Sequence, residues 1–199
     1  MILILVLNLS MAAAEQDTGA WYQFGSPAAT AAPAATYTPA PNAFRFRDGI
    51  RWGMNMQQVK ALETVPMTER TMQNWAIMLT DSKVTVSRFT ADLVFMFRED
   101  RLQMASYEFQ KGTEDDFLYL SGALSAVYGA KKEADSLKIK ALMDAINPNR
   151  YRTEQITQAY GWMTADGTTV FLYFYAENAF AIMYVSPEMG RNAYQTNGL

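Results

Sequence analysis

From Phe44 onward the chain alternates between helix-like and strand-like hydrophobic patterning. Gly53-Met54-Asn55-Met56-Gln57-Gln58-Val59 predicts a helix start. Asn55 is the N-cap, Gln58 at N3 completes a capping box, and Met54 with Val59 forms a hydrophobic staple. The helix should end near Leu62 or Glu63, ahead of Pro66. Strands are then predicted over Trp75–Leu79, Lys83–Phe89, Asp92–Arg98 and Arg101–Phe109, rich in β-branched and aromatic residues. A turn at Glu99-Asp100 sets Arg98 against Arg101, Phe97 against Leu102 and Phe95 against Met104. One face is then apolar (Leu93, Phe95, Phe97, Leu102, Met104), and the other carries Arg98, Arg101 and Gln103. Further on, the apolar phase moves to Tyr107 and Phe109. Side chains alternate with period two, so this slip requires a bulge, expected near Ala105-Ser106.

The pattern then repeats in outline. Thr113 caps a second helix, with Glu114, Asp115 and Asp116 in its first turn, where carboxylates suit the helix dipole. Phe117, Leu120, Leu124 and Val127 predict its buried face, and Gly129 its stop. A third helix is expected over Glu133–Ile146, with Ile139, Leu142, Met143 and Ile146 on one side and Asn147-Pro148 at its end. Strands resume over Ala159–Met163, Thr168–Tyr175 and Ala179–Val185, with hairpin turns at Asp166-Gly167 and Glu177-Asn178. The polar chain after Pro187 should fray, with residues 191–199 as a loose tail.

Ahead of this domain the patterning differs. Ile2 to Leu7 is a short apolar run that leads to Ala12-Ala13-Ala14, the form of a secretory signal over residues 1–14. It is too short to span a bilayer as a helix. Basic residues ahead of the run are missing, which leaves open whether Met1 is the true start; a buried N-terminal strand is the alternative. Residues 15–43 hold four prolines among Ala, Thr and Ser, interrupted by Trp21, Tyr22 and Phe24, and read as an extended tether. The expected organisation is therefore signal, tether, and one α+β domain over 44–190.

Composition narrows the chemistry. The 199 residues include no Cys and no His. Thiol catalysis, disulfides, Cys/His zinc sites and Ser-His-Asp triads are excluded. Seventeen basic and twenty acidic residues give a net charge of −3, and no basic stripe points to nucleic acid. The 13 methionines are read as irregular core filling. Glu63, Glu69, Glu108, Asp144 and Glu154 could supply paired carboxylates, and Ser121 or Ser136 near Lys138 a Ser–Lys dyad, but no signature surrounds them. No phosphate-binding glycine loop or calcium loop is present, and no cofactor or metal is expected.

The two halves, 44–110 and 111–187, share an order: a glycine, a cap, a helix, then an apolar hairpin with an acidic turn. Aligning the turns matches Phe95, Phe97, Leu102 and Met104 to Tyr173, Tyr175, Phe180 and Ile182, as a tandem duplication would. The motif Gly53-Met54-Asn55-x-x-x-Val59, leading into a strand meander, resembles the small exported domains of the β-lactamase-inhibitor-protein-like group. That group includes the small lipoprotein of the outer-membrane assembly machinery. The resemblance implies short helices on an antiparallel sheet, sometimes in tandem, and binding to other proteins without chemistry. The lipid-anchoring Cys of the lipoprotein members is absent, which puts membrane attachment in doubt.

The expected function is thus an exported, periplasmic or extracellular, non-catalytic binding domain for a protein or small ligand of the cell envelope. A carboxylate-dependent envelope hydrolase is the alternative. In the second hairpin a two-residue turn would pair Tyr175 with Phe180, Tyr173 with Ile182 and Phe171 with Tyr184. Val170, Leu172, Phe174, Ala181, Met183 and Val185 would fill the opposite face. Both faces are apolar, so something must cover the second one. Either the third helix or the first half does so, or the face is a docking patch. Buried hydroxyls need partners, so Tyr173, Tyr175 and Tyr184 are the expected edge of a partner site.

Overall fold

The computed structural model describes residues 46–146, 156–175 and 178–195. The signal at 1–14, the tether at 15–43, Pro148 and Glu154 lie outside them. The elements are α1 (Met56–Leu62), β1 (Met67–Met72), β2 (Trp75–Thr80), β3 (Val84–Val86), β4 (Phe89–Arg98) and β5 (Arg101–Phe109), then α2 (Glu114–Tyr128), β6 (Lys132–Glu133), α3 (Ser136–Ile146), β7 (Gln158–Met163), β8 (Thr169–Tyr175), β9 (Ala179–Val185) and α4 (Pro187–Gln195). The fold is α+β: helices packed on one antiparallel sheet of nine strands. Its order is β1-β2-β4-β5-β9-β8-β7-β6, with β3 beside β4.

Both expected caps form. The Asn55 side chain accepts from the Gln58 amide, and the Gln58 side chain accepts from the Asn55 amide. Thr113 and Asp116 make the same reciprocal pair at α2. Hydrogen bonds from the Thr113 amide (3.0 Å) and hydroxyl (2.8 Å), then Arg88, hold the Asp116 carboxyl below its ordinary value of 3.8. A carboxyl lowered on folding stabilises fully above its unfolded value, and that contribution is lost as pH falls through the folded value. The stability gap between the protein and Asp116→Asn, read from paired urea melts, should therefore close on acidification below 3.8. A gap independent of pH would refute this assignment.

Several expectations change. The strand expected over Lys83–Phe89 is broken at Ser87, whose φ is +55°, and the chain reverses into β4 with Val86 opposite Phe89. β1 was not anticipated: Met67–Met72 is mostly polar and exposed, an edge strand held by its neighbour. Glu133 lies in β6, so the third helix begins at Ser136. Val127 is 40% exposed, not buried. The chain after Pro187 forms α4, with Ser186 Oγ accepting from the Met189 amide (3.1 Å) and Glu188 bonded to Gln103.

The first hairpin has the expected turn pairing, Arg98 with Arg101 and Phe97 with Leu102. The phase slip is present too, but it falls earlier. Met96 pairs with Met104, which leaves Gln103 as the extra residue. Phe95 therefore faces Ala105, and Met104 turns to the other face.

The two faces carry separate cores. On the first face, Leu93, Phe95, Phe97, Tyr107 and Phe180 lie beneath Val59 of α1 and Phe117, Leu120 and Leu124 of α2. Phe46 closes the centre, its ring 4.8 Å from Tyr107 and 4.9 Å from Tyr184. On the second face, Ile77, Val94, Met96 and Met183 lie in one cluster with Ile139, Leu142, Met143 and Ile146 of α3. The helix absent from the first half is thus the cover for the second face.

The halves share one strand order. β1-β2-β4-β5 and β6-β7-β8-β9 each run from the sheet's edge inward, and their last strands meet at the centre. There Ala105 pairs with Tyr184 and Tyr107 with Ile182, a self-consistent pair under a two-fold axis through the sheet. The residue-by-residue match shifts by one on the outgoing strand and, past the bulge, on the return strand, where Ala105 rather than Met104 corresponds to Ile182. Phe97, opposite Leu102, corresponds to Phe174, opposite Phe180.

Candidate binding cleft

The tyrosines expected to edge a partner site are interior. Tyr173 is 4% exposed, Tyr175 9% and Tyr184 5%. Nor do they share a face. Tyr175 pairs with Ala179 and Phe174 with Phe180, so three residues, not two, connect β8 to β9. One extra loop residue moves β9 by one position, which exchanges its faces. Tyr173 and Tyr175 lie on the second face in the α3 cluster, and Tyr184 on the first beside Phe46. None of the three lies at a surface where it could edge a partner site.

A cleft of about 430 Å³ opens instead at the far end of the sheet, where β6 and β7 meet the end of α2 and the start of α3. Its lining includes Tyr128, Ala130, Lys132, Glu133, Ala134, Asp135, Lys138, Gly161, Trp162, Met163, Thr169 and Phe171. Trp162 fixes one wall. Its indole N–H donates to Gly129 O (3.1 Å) and Ser125 Oγ (3.3 Å), tying β7 to the end of α2. Asp135 fixes the other: Oδ1 accepts from the Leu137 amide (2.9 Å) and its carbonyl from the Lys138 amide (3.1 Å), which starts α3. Next to the lining residue Thr169, the buried Thr168 accepts from the Trp52 indole (2.7 Å), so the segment before α1 braces the β7–β8 turn.

The floor is apolar. Gly161 pairs with Phe171, and a Cβ at Gly161 would sit 3.6 Å from the Phe171 ring, so the aromatic covers the bare backbone. Met163, at the end of β7, is 65% exposed. Strand pairing places Lys132 on the face of Gly161 and Phe171, and Glu133 on the face of Tyr160. The sequence offered two faint signals for this site: a glycine inside an aromatic strand, and a strand ending on Met163 before a polar turn. Both also fit an ordinary strand.

The residues considered for chemistry lie apart. Glu63 is paired with Arg47, Glu69 with Lys60 and Asp144 with Lys140. Glu108 is buried on β5 and Glu154 lies outside the described residues. Ser121 does meet a lysine, but it is Lys131, with Nζ donating to Ser121 Oγ at 2.9 Å. Ser121 is 1% exposed, and the same ammonium lies 3.7 Å from the Tyr160 ring centroid. The lysine Nζ is engaged by the hydroxyl and the ring together, and the buried hydroxyl is closed to substrate. Among the described residues, no group of three or more Asp or Glu is placed to hold a metal, and no helix is long and apolar enough to cross a membrane. No family model, no curated protein and no solved structure matches this chain.

Proposed function

We propose that the chain is an exported, non-catalytic binding domain whose ligand or partner occupies the cleft between β6–β7 and the start of α3. The observation that carries this is the exposed Met163 beside Phe171 and Gly161, in a cleft of about 430 Å³ walled by charged residues. Apolar pockets of about 300–1,000 Å³ with a few polar groups are the usual form of a binding site. The reading draws on the resemblance to β-lactamase-inhibitor-protein-like domains, which implies a repeated helix-then-strands order of the kind the two halves have. Binding there would differ from a sheet-face mode, because α3 lies over the second face. A carboxylate-dependent envelope hydrolase is the second reading, since Glu133 and Asp135 both line the cleft. It is weaker because Asp135 Oδ1 is engaged in the α3 cap.

The test is site-specific photo-crosslinking in intact cells. A photoreactive residue at position 163 should give a discrete adduct with the exported protein. The same residue at Leu137, 74% exposed but outside the cleft lining, should not. Equal labelling at the two positions would sink the reading.

A further inference from the structure

The second face of the sheet holds a space of its own. About 50 Å³ lies between the strands and the end of α3, lined by Met72, Met96, Met143 and Met183 together with Ser106 and Glu108. We propose that this space is a site for one soft monovalent metal ion, Cu(I) or Ag(I), held by the methionine thioethers. The inference is independent of the cleft at β6–β7.

Three observations carry it. The first is convergence. The four methionines come from four elements: Met72 ends β1, Met96 lies on β4, Met183 on β9, and Met143 in the last turn of α3. Met96, Met143 and Met183 are buried in the second-face cluster, and Met72 packs against it. Methionine used as filler adapts its shape to close a gap. Here four such side chains surround one that stays open.

The second is an orphaned polar atom. Ser106 sits on this face opposite Val94 of β4 and Met183 of β9. It is 3% exposed, and its Oγ has no hydrogen-bond partner among the described residues. A buried hydroxyl without a partner opposes folding. One that lines an open space marks a place for a bound species.

The third is size and donor set. An organic ligand needs about 300 Å³ or more, whereas a single ion or a few waters fit in this space. Calcium and magnesium take about six or more oxygens, and the lining offers a hydroxyl, the Tyr173 phenol and one carboxyl group. Structural zinc is held by thiolates and imidazoles, and the chain has neither Cys nor His. Thioethers select Cu(I). Glu108, 9% exposed, brings the one carboxyl group, which can offset the single charge of such an ion.

The experiment titrates the full chain with Ag(I), a redox-inert stand-in for Cu(I), in chloride-free buffer with free methionine as competitor. Affinity is read by calorimetry, and position by the methyl resonances of methyl-labelled methionines, assigned by single Leu replacements. One ion per chain should bind, and the methyls of Met72, Met96, Met143 and Met183 should shift together. Met143→Leu with Met183→Leu conserves volume and should weaken binding by about tenfold or more, as loss of even a supporting group at a metal site does. Met72→Leu, at a half-buried position, should weaken it in the same direction, which keeps the result readable if the double variant melts early. Met54→Leu, packed against the other core, should leave binding unchanged. Uptake no tighter than by free methionine, shifts confined to exposed methyls such as that of Met163, or full affinity in the double variant overturns the site and leaves the space to water only. None of these outcomes bears on the crosslinking at position 163, so the two readings fail separately.

Discussion

Phe180→Ala is expected to lower the unfolding free energy by about 3–5 kcal/mol, the usual range for removing a buried aromatic. Phe180 is fully buried and lies between β5 and β8, opposite Phe109 and Phe174. Its ring stacks on Phe109 at 4.6 Å and meets Phe89 edge-on at 6.2 Å. Truncation opens a cavity whose walls are other rings in fixed register, which cannot collapse inward. A second substitution probes the same place from outside. Gly112 precedes the α2 cap, and a Cβ there would lie 1.9 Å from Phe180 Cε1. The Gly112 amide is also tied to Asn178 O (2.9 Å), so the backbone cannot retreat without losing that bond. Gly112→Ala should cost about 1–3 kcal/mol or more by overpacking. Combined with Phe180→Leu, which shortens the ring, the two should cost clearly less than their sum. Urea denaturation of the four proteins measures this. Strict additivity would mean that the clash is relieved elsewhere.

Glu63→Ala should cost a similar amount, about 3–5 kcal/mol, for an electrostatic reason. Arg47 donates to both carboxylate oxygens of Glu63, at 2.7 and 2.5 Å. The two side chains are only 13% and 2% exposed. Burial disfavours the Arg47 charge, but the bonded Glu63 carboxylate and nearby Tyr107 outweigh it and raise its pKa above the ordinary value. The guanidinium therefore stays charged in the native state, and removing Glu63 strands it in the interior. The consequence reaches beyond the pair. Arg47 follows Phe46, whose carbonyl accepts from the Tyr107 hydroxyl (3.1 Å) and whose ring closes the first-face core. Glu63 ends α1. Their bond holds that segment on the sheet. Replacing both residues together, as Arg47→Met with Glu63→Leu, should recover most of the loss, since a packed apolar pair needs no partner for a charge. Thermal melts at low and high salt give a further check. A buried pair is little screened, so the Glu63→Ala deficit should persist at 1 M salt.

What the sequence determined about this protein is local. Asn55 with Gln58, and Thr113 with Asp116, satisfy amides three residues away, so the starts of α1 and α2 needed no tertiary information. Period-two alternation located β4, β5, β8 and β9, and the turn at Glu99-Asp100 fixed the pairing of Arg98 with Arg101. The phase slip between Leu102 and Tyr107 showed that β5 must bulge. Tertiary structure decided where: at Gln103, which sits under α4 and bonds to Glu188 and Ser186. It also created β1, whose polar Thr68, Glu69, Arg70 and Thr71 carry no strand pattern and pair only because β2 offers a free edge.

The site was lost to the same cause. Register in a hairpin depends on loop length, and a difference of one residue between Tyr175 and Ala179 exchanged the faces of β9. That step placed Tyr173, Tyr175 and Tyr184 at a surface where none of them lies. The opposing faces of the second hairpin were both legible as apolar, and the need for a cover was sound. Which element supplied the cover was settled by packing: α3 folds back over the second face, and its starting turn leaves Gly161, Phe171 and Met163 open at one end. A cleft is made by where a helix stops short of an edge, and no periodicity in the chain records that distance.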